Sequence, residues 1–193
     1  PSAAPVTRTA TTSGTTRNAD TSCQVNATGP EDYHRLDVTV RSVVSLSTEG
    51  SATDFDTVLA VRSDCDRAAG ELACNDDGDS AATSSRLRVL LEVGSYAVVV
   101  DGYNGATGRY QLTARATPAA PNGACTTATA LTPGVTLRAQ AVDGGYDAAF
   151  ACQPVAAGQL FYALTVPAGS AGTVTVTPSG APAPWAPLVR ITD

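Results

Sequence analysis

Residues 85–114 read SRLRVLLEVGSYAVVVDGYNGATGRYQLTA. Within this stretch Arg86-Leu87-Arg88-Val89-Leu90-Leu91 and 110–114 alternate apolar and polar side chains with a period of two, the pattern of a half-buried strand. Glu92-Val93-Gly94 is a turn into the apolar run 96–100, and 101–108 is a glycine-rich hairpin connection. Three short strands joined by tight turns in thirty residues leave no room for helices.

Working outward, the same alternation marks strands at 6–12, 33–40, 43–47, 57–62, 71–74, 86–91, 95–101 and 109–114. Threonine and valine are abundant and aromatic residues make up only 5% of the chain, which suits pleated surfaces and disfavours long helices. Seventeen glycines and twelve prolines fall mostly between the apolar runs. Eight short strands predict an all-β, jelly-roll-like sandwich of two sheets.

Charge and cysteine content narrow the surroundings. The net charge is −6, and all twelve basic residues are arginine. Eight of the eighteen acidic residues, Asp54, Asp56, Asp64, Asp66, Glu71, Asp76, Asp77 and Asp79, crowd into 54–79. That balance argues against nucleic acid as a partner, since such binding needs clustered basic groups. No run of eighteen or more apolar residues spans a membrane. The chain starts at Pro1 and contains no methionine, so it is expected to be a processed chain or a segment of a longer one.

The five cysteines form no CxxC pair, and the single histidine, His34, cannot complete a zinc site of the usual kind. Disulfides in an oxidising compartment are therefore expected. Cys65 and Cys74 bracket an eight-residue segment suited to a hairpin-like clip, and Cys125 with Cys152 would close a longer loop. Cys23 is left over.

An internal repeat accounts for the odd number. Cys23-Gln24 followed by Tyr33 matches Cys152-Gln153 followed by Tyr162, and the offset of 128–130 residues persists. Leu36-Asp37-Val38 matches Leu164-Thr165-Val166, residues 43–46 match 174–176, and FDTVLAV (55–61) matches WAPLVRI (185–191). The expected organisation is a complete sandwich repeat over 1–116, a Pro-containing linker over 117–122 and a partial repeat over 123–193. On this register Cys23 is expected to be unpaired or bonded to a cysteine outside the sequence. The partial repeat is expected to be completed by continuation of the chain, or by strands from another chain, which would make a homopolymer.

The segments FDTVLAVRSDCD, ELACNDDGD and 85–114 together resemble the bacterial pre-peptidase C-terminal domain family. The matching features are Asp56, Thr57 and Leu59, the Asn-Asp-Asp turn Asn75-Asp76-Asp77, Gly94-Ser95-Tyr96, and the closing Gly108, Tyr110 and Leu112. The resemblance covers 20–115 and implies a jelly-roll sandwich, non-catalytic and appended to secreted hydrolases or strung in tandem on surface proteins. It also implies calcium binding in some members and fibrous substrates such as collagen in others.

Only the acidic set offers chemistry. Calcium takes six to eight oxygen ligands. Asp54 and Asp56, two apart on an extended segment, share a face, and Asn75, Asp76, Asp77 and Asp79 sit on a turn that the Cys65–Cys74 clip would bring near. The alternative is that these groups hydrogen-bond turn backbone only. Pro184 and Ala186 stand where the first repeat has Asp54 and Asp56, so any such site belongs to the first repeat.

Catalytic constellations are absent. His34 is expected to be an outward-facing strand residue, Asp76 and Asp77 are adjacent on a turn rather than opposed across a bond, and there is no GxSxG, P-loop or HExxH motif. Asn26-Ala27-Thr28 fits a glycosylation sequon, and Trp185 replaces Phe55 as a core or interface aromatic. The sequence therefore points to a non-catalytic module of a tandem-repeat surface or fibre protein, secreted or at the bacterial surface. Its partners would be other chains or further repeats. The alternatives are an accessory C-terminal region of a secreted hydrolase and a calcium-dependent substrate-binding module.

Overall fold

The computed structural model describes residues 4–13, 21–24, 29–64, 70–78, 83–123, 125–139, 159–170 and 172–177. The chain divides into two units, Pro1–Ala163 and Leu164–Asp193. Cys65, Asp79, Cys152, Trp185 and the sequon at 26–28 lie outside the described residues.

Eight strands in the first unit realise the expected alternation. They are β1 (Val6–Thr11), β2 (Asp32–Val38), β3 (Ser42–Ser47), β4 (Thr57–Arg62), β5 (Glu71–Asn75), β6 (Arg86–Leu91), β7 (Gly94–Gly102) and β8 (Arg109–Pro118). They form two four-stranded antiparallel sheets, β1-β8-β3-β6 and β2-β7-β4-β5. The pairs β4–β5, β3–β6, β2–β7 and β1–β8 are nested, one inside the next, as in a long hairpin rolled up on itself. Pairing of β3 with β8 and of β4 with β7 then closes the two sheets. This is the jelly-roll arrangement.

Period-two alternation places one set of side chains between the sheets. Val44, Leu46, Leu87, Leu91, Tyr110 and Leu112 of one sheet meet Val38, Leu59, Val61, Val98 and Val100 of the other. Tyr110 is fully buried, and its hydroxyl lies 2.6 Å from His34 Nε2 and donates to Asp32 Oδ2. Burial, together with the hydrogen bond to Asp32, pushes the phenol well above its usual range. His34 therefore faces inward, edge-on to Tyr110 at 5.9 Å between ring centroids, and not outward as the alternation suggested. The reason is phase: His34, Leu36 and Val38 share the inner face, and the hydroxyl of Tyr110 supplies a partner that makes an inward imidazole tolerable.

Strands β4 and β7 are buried on both faces. Val58, Ala60, Val99 and Asp101 alternate with the core residues, point to the outer side of their sheet, and have 0% exposure. The segment Thr21–Gln24 is fastened to this sheet. The backbone N–H and hydroxyl of Ser22 donate to the Glu71 carboxylate, and Gln24 Nε2 donates to Asp101 Oδ2. Cys23 is bonded to Cys74 with the Cα atoms 5.8 Å apart.

That bridge corrects the expected Cys65–Cys74 clip and the expected isolation of Cys23. In the β4–β5 register Cys74 stands opposite Ala60, and it is Cys23 of the segment Thr21–Gln24 that reaches its sulfur. A closed loop with a sequence separation of 51 contributes roughly 4 kcal/mol in the chain-entropy model. Cys125 is exposed and carries no disulfide among the described residues, and its expected partner Cys152 lies outside them.

β8 runs on to Pro118, pairing Thr117 with Val43, and so occupies the start of the stretch expected to be linker. Beyond it, β9 (Thr129–Ala130) and β10 (Tyr162–Ala163) form a two-residue parallel pair. In the second unit the described residues contain no strand, and Val166, Val174 and Val176 are exposed. Residues 174–176, matched in sequence to β3, are therefore not in a strand.

The connection from β7 to β8 carries the tightest packing. Asn104 and Gly105 take φ values of 51° and 79°, the left-handed pair that an Asn-Gly turn supplies. A Cβ at Gly102 would lie 1.7 Å from the carbonyl oxygen of Ala106. Gly102→Ala is expected to cost about 3 kcal/mol, read as a lowered urea midpoint. An unchanged midpoint would show that the turn is not packed as described.

Candidate metal centre

The acidic residues are sorted by the backbone that carries them. Asp56 precedes β4, with its carbonyl accepting the N–H of Tyr103 at 3.0 Å and the next residue bonded from Thr57 N to Thr83 O at 2.9 Å. Asp76 and Asp77 follow β5 on a turn closed by Gly78 N–H donating to Ser84 O at 2.8 Å. Three further bonds hold that turn. The Ser85 hydroxyl donates to the Asp76 carbonyl, the N–H of Arg86 donates to Asn75 Oδ1 at 3.1 Å, and Ser85 N–H is held by Thr48 Oγ1 at 2.8 Å. Because β4 pairs with β5 and Leu59 lies opposite Asn75, the residue three before Leu59 and the two after Asn75 meet at one end of the sheet.

The result is a cluster of Asp56, Asp76 and Asp77 with one carboxylate oxygen of each within 4.8 Å of the others. Asp56 and Asp76 are half-buried and Asp77 is exposed. One oxygen of Asp56 and one of Asp76, Oδ1 in each, is buried with no hydrogen-bond partner among the described residues. Burial, then the charge of Asp77, raises the pKa of Asp56. Burial, then the charges of Asp77 and Asp56, raises that of Asp76 to about 6. Such carboxylates fit a hard cation, which would satisfy the orphaned oxygens and offset the repulsion.

Other expected ligands do different work. The chain bends at Phe55 before β4 begins, so the two-residue spacing does not place Asp54 and Asp56 on one face. Asp54 instead accepts the backbone N–H of Arg109 at 2.7 Å and faces its Nε at 3.4 Å. Asn75 spends its side-chain oxygen on Arg86. Asp79 lies outside the described residues. Ser85, which positions the Asp76 carbonyl, gave no signal in the sequence, because a single serine before a strand is unremarkable without the partner it bonds.

The fold and cluster define a two-sheet antiparallel β-sandwich with a carboxylate-lined turn at one end. No family model and no curated protein matches this chain. Among solved structures it is similar to the pre-peptidase C-terminal domain of a collagenase from Bacillus anthracis, with 15% identity and a TM-score of 0.37 over 56% of this chain and 87% of that one. The sandwich itself rests on the strand pairing given above. Among the described residues no helix is long and apolar enough to cross a membrane.

The raised pKa of Asp76 has a defined consequence in metal-free solution. An acid whose pKa is raised on folding leaves the native state holding more protons than the unfolded one between the two values. Stability from this group is full below its ordinary value of 3.8 and is lost as pH rises through about 6. In chelator, urea denaturation from pH 4 to 7 should show the wild type losing stability relative to Asp76→Asn as pH rises. A difference that stays flat or grows with pH would contradict the arrangement.

Proposed function

We propose that this chain is a non-catalytic extracellular interaction module, a jelly-roll unit of a tandem-repeat surface or fibre protein, whose acidic turn is capped by calcium. The observation that carries the reading is the convergence of Asp56, Asp76 and Asp77, with two buried and unpartnered oxygens at their junction. Three carboxylates in one place favour a hard divalent cation over a transition metal, which would look for imidazole or thiolate. Backbone carbonyls and water would complete the shell, as calcium's flexible coordination allows.

A capping role accords with the disposition of the described residues around the site. The only histidine is committed to Tyr110 between the sheets. Asp76 and Asp77 are neighbours on a turn, not a pair flanking a cleft. The Cys23–Cys74 bridge supports an oxidising, extracellular setting. Bound calcium would fix the ends of β4 and β5 and present a rigid loop surface to the next repeat or to another chain.

Calcium at a hundredfold excess over its Kd should raise the Tm of the chelator-treated protein by roughly 5–10 °C. Asp76→Asn should abolish that response while leaving the far-ultraviolet circular dichroism of the sandwich intact. A Tm indifferent to both chelator and calcium would overturn the calcium assignment.

A further inference from the structure

We propose that the Cys23–Cys74 bridge is a redox latch that holds the strap Thr21–Gln24 against the outer face of sheet β2-β7-β4-β5 and whose reduction releases the strap without unfolding the sandwich. The strap touches the sheet at three places: Ser22 on Glu71, Cys23 on Cys74 and Gln24 on Asp101. Two of these are hydrogen bonds to carboxylates, and the third is covalent.

The underside of the strap carries costs that oppose its non-covalent attachments, among them the buried bond of Gln24 to Asp101. Thr21 and Gln24 are only 2% and 7% exposed. Each nevertheless leaves a polar atom, Thr21 Oγ1 and Gln24 Oε1, buried without a hydrogen-bond partner among the described residues. Burying such atoms opposes closure, and lifting the strap would return both to water. The Ser22 bonds to Glu71 are exposed, where water competes with them. The covalent link therefore decides whether the strap stays down.

The bridge is also placed where it can be cut locally. Cys23 and Cys74 are half-buried and belong to neither side of the inter-sheet core. The ladder of β5 on β4 runs through backbone bonds that do not depend on the sulfur atoms. In the exchange a thiolate of a dithiol reductant attacks one sulfur, forming a mixed disulfide and freeing the other cysteine. The second thiolate of the reductant then attacks its own first sulfur and expels the remaining cysteine, so that two electrons and two protons pass to Cys23 and Cys74 and the reductant leaves as its own disulfide. The released strap would free the Asp101 carboxylate, now fully buried, from its bond to Gln24.

Hydrogen exchange read by mass spectrometry on the oxidised chain, the chain reduced with dithiothreitol, Cys23→Ser and oxidised Glu71→Gln tests this. Reduction and Cys23→Ser should each accelerate exchange across 21–24 by at least about tenfold, with β3 and β8 unchanged. Oxidised Glu71→Gln should keep 21–24 protected. Three results would overturn the latch: equal protection of 21–24 with and without the bridge, simultaneous exchange of all strands on reduction, or release of the strap by Glu71→Gln alone.

Discussion

The pairing of β4 with β5 is the innermost of the four nested strand pairs, and the other structure is arranged around it. Its register, Leu59 opposite Asn75 and Ala60 opposite Cys74, fixes two things at once. At the end near Leu59 it brings Asp56 against Asp76 and Asp77. At Cys74 it presents a sulfur to the strap fastened to the outer face of the same sheet. A slip of one residue would turn every side chain of β5 to the opposite face and undo both. The irregularity between Val61 and Arg62 confines the shift in register to the far end of the pair, away from the carboxylates.

Charge is managed unevenly around this pair. At one end three carboxylates share a small space, and among the described residues no arginine forms an ion pair with them. Further along, Arg62 is fully buried with Glu71 Oε2 at 3.7 Å, and Glu71 also receives Ser22. On the neighbouring sheet Arg86 meets Glu49 at 2.6 Å and Arg109 meets Asp54 at 3.4 Å. Arginine thus neutralises the acidic residues Asp54, Glu49 and Glu71, in contrast to the cluster. Asp54 belongs to the first group although its spacing from Asp56 suggested the second.

Much of the fold was legible because strand alternation is a local property. The runs at 57–62 and 86–91 coincide with β4 and β6, and the others differ by a few residues at their ends. Of the cluster, Asp56, Asp76 and Asp77 could be named from crowding alone, but crowding does not distinguish a ligand from a turn cap, and Asp54 and Asn75 turned out to be caps. What the sequence could not show were contacts set by register across the chain. Cys74 lies closer in sequence to Cys65 than to Cys23, and only the β4–β5 pairing moves its neighbour to Ala60. His34 failed for a similar reason: its phase along β2 is clear, but the hydroxyl that makes an inward imidazole acceptable belongs to Tyr110, seventy-six positions away.

The central claim is that the β4–β5 register builds a cation site from Asp56, Asp76 and Asp77. Its most direct test is an anomalous difference map from crystals of the oxidised chain grown with calcium and, separately, with a lanthanide in its place. The account predicts one peak bounded by the three carboxylates, with Asp54 still on Arg109. A map with no peak there, and with the Oδ1 atoms of Asp56 and Asp76 turned onto backbone N–H groups, would contradict it.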